Sequence, residues 1–194
     1  MKRLAAAAFL LAAWTGAALA DQPAPIAFNG ATFDCRAMGP INNGWGVYYA
    51  PDGQDPDQAR DEIIVNYLDK TDGKGHAITA QGMAELMLGS IKARGGKLVL
   101  PLTAPDPAYK GRMSYYMAFY YVYPEDKNGD IWAARVVQDE DRALGLLYKH
   151  RIEGADAADI EARIVAWLKD NMGKMPIDHL AIPPEPAHGS NPAD

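Results

Sequence analysis

A single cysteine, Cys35, stands in the whole 194-residue chain. That excludes a disulfide scaffold, because a lone thiol has no intrachain partner. Histidine is sparse too: His76, His150, His179 and His188 are scattered without the spacing of metal ligands. No Gly-x-Ser-x-Gly elbow is present, since Gly89-Ser90 lacks a glycine two residues on. Nor does any glycine-rich loop carry the phosphate-cradling pattern. Basic residues are outnumbered, 19 against 25 acidic, for a formal charge of −6. With no basic cluster along the sequence, the footprint that neutralises a nucleic-acid backbone is missing. The rest is ordinary globular composition, 48% hydrophobic and 23% charged with 18 Gly and 14 Pro. Such a chain is neither disordered nor fibrous.

The first twenty residues read as a secretory signal peptide. Lys2 and Arg3 form a positive start, Leu4 to Trp14 is apolar, and Ala18-Leu19-Ala20 supplies the small residues that signal peptidase requires. Cleavage before Asp21 would remove two basic residues and take the formal charge from −6 to −8. The alternative is an uncleaved anchor, for which the uncharged stretch Leu4 to Ala20 sits at the lower limit of spanning length. The A-x-A ending favours cleavage, and no second run is long enough to cross a bilayer. No twin arginine is present, and Cys35 lies too far on for lipid attachment at the processing site. The expected location is periplasmic or secreted, with domain limits of 1–20 for the signal, 21–182 for one domain and 183–194 for a disordered Pro-rich tail.

Along the body, Asn29-Gly30 marks a tight hairpin between short apolar runs. Gly39 to Gly44 reads as loop and Trp45 to Ala50 as strand. Asp55-Pro56 resembles a helix start, and the β-branched run in Glu62 to Leu68 is a further strand. Asp69, Asp72 and His76 sit in a turn. Thr79 caps a helix with Met83, Leu86, Met87 and Ile91 on its inner stripe, ended by Gly95-Gly96. Pro101 demotes Lys97 to Thr103 to an edge strand. Met113 to Tyr123, Asp130 to Gln138 and Ala143 to Ile152 form a meander with expected turns at Asn128-Gly129 and Glu140-Asp141. Asp156 caps a second helix, with Ile160, Ile164, Trp167 and Leu168 inward and Gly173 as terminator.

Both faces of that meander are mainly apolar, so both need cover. The sequence therefore predicts an α+β fold: a mostly antiparallel sheet of about five to seven strands, helices on both faces, an α/β/α sandwich. On one face Arg135 stands opposite Val122 and Leu146, near Tyr120, Tyr148 and His150. An arginine among apolar side chains needs an acid, carbonyls or an anionic ligand. Tyr120, Arg135, Tyr148 and His150 are thus the candidate binding residues for a small anion or an acidic side chain. The alternative is an Arg135 satisfied within the domain. Cys35 reads as a buried thiol. Asp126-x-Asn128-x-Asp130 lacks the glycine and the closing acid of a calcium loop, so no metal and no cofactor is expected.

The order of elements from Trp45 to Met172 resembles the PsbP-like fold. The resemblance is carried by the strand ending Tyr48-Tyr49-Ala50-Pro51, the strand Glu62 to Leu68, a helix, a long meander and a final helix. That group includes photosynthetic extrinsic proteins and small envelope lipoproteins such as DcrB, although the lipoprotein cysteine is absent here. The resemblance implies an accessory domain. The functional expectation is an exported, non-catalytic, monomeric envelope domain that binds a protein partner or small anionic ligand. A periplasmic hydrolase or ligand-modifying enzyme is the alternative.

Overall fold

A computed structural model of the chain describes residues 23–51, 54, 59–106, 109–139 and 142–171. The leader, the helix start at Asp55-Pro56, Gly173 and the Pro-rich tail lie outside the described residues. The strands are β1 (Ile26–Phe28), β2 (Ala31–Ile41), β3 (Gly44–Pro51), β4 (Asp61–Leu68), β5 (Lys97–Pro105), β6 (Met113–Tyr123), β7 (Asn128–Asp139) and β8 (Arg142–Glu153). Two helices, α1 (Ala80–Ala93) and α2 (Ala157–Asn171), join them among the described residues. All eight strands join one sheet in the order β1-β2-β3-β4-β8-β7-β6-β5, antiparallel throughout.

This corrects the α+β expectation, the α/β/α sandwich and the PsbP-like label with it. One eight-stranded sheet dominates, and two helices of 14 and 15 residues cannot form a layer over either face. The helices contact the β5–β8 half, α1 against β5 to β8 and α2 against β6 to β8. The other half is covered by the curl of the sheet itself. Three strands separate β1 from β8 in the sheet order, which in a flat sheet puts them roughly 19 Å apart. Yet the rings of Phe28 on β1 and Tyr148 on β8 lie 5.1 Å apart. The sheet therefore coils until its first strand closes over the concave face, as strand twist allows. Phe28, Phe33, Val47, Tyr49, Ile63, Val65, Leu146 and Tyr148 fill the space inside. Apolar residues on both faces need cover, and part of that cover comes from curvature rather than from helices.

Local signals explain most of the turns. Asn29 and Gly30 both take positive φ, 49° and 77°, which a two-residue hairpin with the sheet's own twist requires. Gly39 to Ile41, expected in a loop, extends β2 instead, and Asn42-Asn43 makes the turn with Asn43 at φ 60°. The β7–β8 pairing Asp139↔Arg142 is the one a two-residue connection at 140–141 gives.

Asn128-Gly129 does not turn. It opens β7, and the reversal is made by Pro124 to Lys127, with Lys127 at φ 52°. Packing explains why a glycine is nonetheless there. A Cβ on Gly129 would lie 2.8 Å from Ile160 Cγ2, Ile164 Cδ1 and the Tyr121 carbonyl oxygen. The glycine lets α2 sit directly on the strand, and burying the two isoleucines stabilises by roughly 1.5–3 kcal/mol each. The partner of Arg135 on β6 accordingly shifts from the expected Val122 to Tyr116. Because that shift is an even number of residues, every side chain keeps its face.

In α1, Thr79 caps the helix, its hydroxyl accepting from the Gly82 N–H at 3.1 Å. The buried residues are Ala80, Ala84 and Ile91, whereas Leu86, expected inside, is 73% exposed. In α2, Ile160, Ile164 and Leu168 are buried and Trp167 is half-buried, while the Asp156 carboxylate accepts from the Asp159 N–H at 2.9 Å.

Candidate functional site

The four residues singled out from the sequence all face the concave side, but they do not converge on a shared pocket. Arg135 is fully buried, with its Nε 3.7 Å from the Asp106 carboxylate, itself without exposed side-chain surface. Asp106 also accepts from the Tyr109 N–H at 2.8 Å and from the Ser114 hydroxyl. The arginine is thus paired with an acid of its own domain. That acid lies in a stretch read only as a Pro-rich loop. Its single signal is that it is the one acid between Lys92 and Arg112.

Tyr120 is held elsewhere on that face, by α2. Its hydroxyl donates to Glu161 on α2 at 2.8 Å, and Lys97 on β5 bonds the same carboxylate. Burial, then the Glu161 carboxylate, raises the Tyr120 hydroxyl above its ordinary range.

Tyr148 and His150 do meet, through Asp61 at the start of β4. The Tyr148 hydroxyl lies 2.5 Å and His150 Nδ1 2.7 Å from the same carboxylate oxygen. Burial pushes the Asp61 carboxyl up, but the bonds from His150 and Tyr148 outweigh it and hold the group below its usual range. Burial, and then the bond to Asp61, drives the Tyr148 hydroxyl far upward. The His150 ring stacks on Trp167 of α2 at 4.5 Å, and its buried Nε2 has no hydrogen-bond partner among the described residues. A carboxylate orienting an imidazole is half of a catalytic relay. Among the described residues, no hydroxyl or thiol meets Nε2 to complete it. The cluster pins α2 to the β4–β8 pair.

The convex face carries a second internal set. Glu62 and Lys149 pair while nearly buried, with Lys149 5.9 Å from the Trp132 ring centre, and Arg151 reaches Asp130 at 3.3 Å. Burial raises the Glu62 carboxyl despite its lysine. Asp72 organises its own turn, accepting from the N–H groups of Lys74 and His76 and meeting His76 Nδ1 at 3.0 Å. Cys35 is buried, and that burial raises its thiol above the ordinary range. Among the described residues, no group of three or more His, Cys, Asp or Glu side chains is placed to hold a metal ion. A cleft of about 500 Å³ opens at the start of α1 beside Arg112 and Met113. Its polar groups engage one another: Arg112 donates to the Gln138 carbonyl, and the Gln138 side chain accepts from the Ala80 N–H.

The surface that is left over is β5. Among the described residues it pairs with β6 alone, and every one of its own residues except Ala104 is exposed. Leu98, Val99, Leu100 and Leu102 are 37–50% exposed, and Met113, opposite Pro105 at the end of the strand, is 46% exposed. Register places them on both sides of the margin. Leu98 opposes Phe119 on the convex side, while Leu100 and Leu102 oppose Ala118 and Tyr116 on the concave side. Exposed apolar side chains gathered along one edge mark an interaction site more often than isolated exposed leucines do. Sequence reading recognised the edge through Pro101 but not its exposure, because a strand of Leu and Val looks the same whether or not something covers it. Among the described residues, no helix is long and apolar enough to cross a membrane.

No family model and no curated protein matches this chain. Among solved structures it is similar to a protein of unknown function, PA94 from Pseudomonas aeruginosa. The similarity covers 80% of this chain and 96% of that one, with a TM-score of 0.40 and 12% identity.

Proposed function

We propose that this chain is an exported binding domain, an accessory component with no catalytic role, that docks on another component of the envelope through its β5 margin. The observation that carries the reading is the exposed aliphatic strip of Leu98, Val99, Leu100 and Leu102 with Met113. Apolar surface of that kind is stabilised by being covered. The interior polar clusters support the same reading, since Asp106, Glu161 and Asp61 turn Arg135, Tyr120, Tyr148 and His150 toward holding the fold together. Export is supported by the leader at Met1 to Ala20.

The test compares the chain starting at Asp21, which contains every described strand and helix, with its Leu100→Asp/Leu102→Asp variant. Both side chains are exposed, so the variant keeps its urea midpoint. Co-sedimentation with envelope fractions from the producing cell is expected for the parent and lost in the variant. Equal sedimentation of the two would refute the reading.

A further inference from the structure

We infer that the component met by the β5 margin is an anionic lipid surface, a conclusion that rests on the docking reading above. The argument begins with charge. The chain carries −6 overall, yet between Lys92 and Arg112 it has five basic residues, Lys92, Arg94, Lys97, Lys110 and Arg112, against one acid. That acid, Asp106, is buried against Arg135. Topology then places the cations at both ends of the apolar strip. Lys92 and Arg94 close α1 just before β5, Lys97 opens β5 with its charge engaged by Glu161 of α2, and Lys110 and Arg112 lie beside the Pro105↔Met113 end. An otherwise acidic protein thus presents apolar side chains bracketed by positive charge at one margin, complementary to anionic headgroups.

Shape and chemistry separate lipid from other occupants. Strand addition needs a regular row of free donors and acceptors. This edge is broken by the bulge at Leu98/Leu100 and by Pro101, which has no N–H. Protein hot spots are built on Trp, Tyr and Arg, with Leu and Val under-represented. The strip is Leu, Val and Met, placed on both sides of the sheet's last strand, which suits shallow insertion between headgroups better than a partner's pocket.

The experiment uses the chain from Asp21 and protein-free vesicles, either pure phosphatidylcholine or phosphatidylcholine with one third phosphatidylglycerol. Binding is expected to the anionic vesicles alone, to weaken with added salt, and to disappear in Leu100→Asp/Leu102→Asp. Lys92→Gln/Lys110→Gln, which changes two exposed side chains, is expected to weaken it about 30-fold, from roughly fivefold per lysine at an anionic surface. Failure to bind anionic vesicles, with β5-dependent sedimentation of envelope fractions retained, overturns the lipid assignment and leaves the docking reading standing with a protein occupant. Sedimentation independent of β5 overturns both. A concentration-dependent dimer abolished by Leu100→Asp/Leu102→Asp also overturns the lipid assignment and gives the edge to a second copy.

Discussion

Replacing Arg135 by methionine separates an internal arginine from a ligand-binding one. The side chain is fully buried and lies 3.7 Å from an Asp106 carboxylate that is equally buried. Methionine fills much of the volume, so packing loss is small and charge decides the outcome. Removing one member of a buried pair leaves the other uncompensated, which costs roughly 3–5 kcal/mol. The Tyr109 N–H and the Ser114 hydroxyl still reach Asp106 and favour the lower end of that range. In the same background, Asp106→Asn removes the orphaned charge while keeping an acceptor for the Tyr109 N–H. It is expected to recover a substantial part of the loss, so the two substitutions couple favourably. Urea unfolding of the parent, the two single variants and the double variant measures that coupling. Vesicle binding by the folded fraction is expected to stay unchanged, since Arg135 faces the interior. An Arg135→Met protein as stable as its parent would refute the internal pairing, and lost binding at full stability would restore Arg135 as a ligand residue.

Gly129→Ala is expected to destabilise by roughly 1–3 kcal/mol, the usual range for overpacking, because the added methyl meets Ile160, Ile164 and the Tyr121 carbonyl. Adding Ile164→Val should return part of it in urea titrations; no recovery would point to a backbone cause. Asp61 titrates lower in the fold than in the unfolded chain, so its contribution is present above the ordinary carboxylate range and lost as pH falls through the lowered value. Asp61→Asn should therefore flatten the acid limb of a urea-midpoint profile, and an unchanged acid limb would count against the Tyr148–Asp61–His150 cluster. Cys35, buried with its thiol raised, should react with a thiol reagent in urea but only slowly in buffer; fast labelling of the native protein would contradict its burial.

What the sequence determined by itself is what short-range chemistry controls. The Asn29-Gly30 hairpin, the Thr79 and Asp156 caps, the edge position of the Pro101 strand and the face of each meander residue follow from φ preferences, capping hydroxyls and two-residue alternation. Tertiary structure decided whatever depends on residues far apart in the chain. The curl that brings Phe28 onto Tyr148 sums small twists over many strands, and no single segment encodes it. Gly129 carries the local signature of a turn, but its role comes from an α2 helix some thirty residues on, whose approach needs a position without a Cβ. The partners of Arg135, Tyr120 and His150 are Asp106, Glu161 and Asp61, ordinary acids until folding removes water around them. The basic residues from Lys92 to Arg112 form no cluster along the chain, because loops and an apolar strand separate them. They bracket a surface only once β5 stands at the edge of the sheet, where among the described residues no further strand covers its leucines.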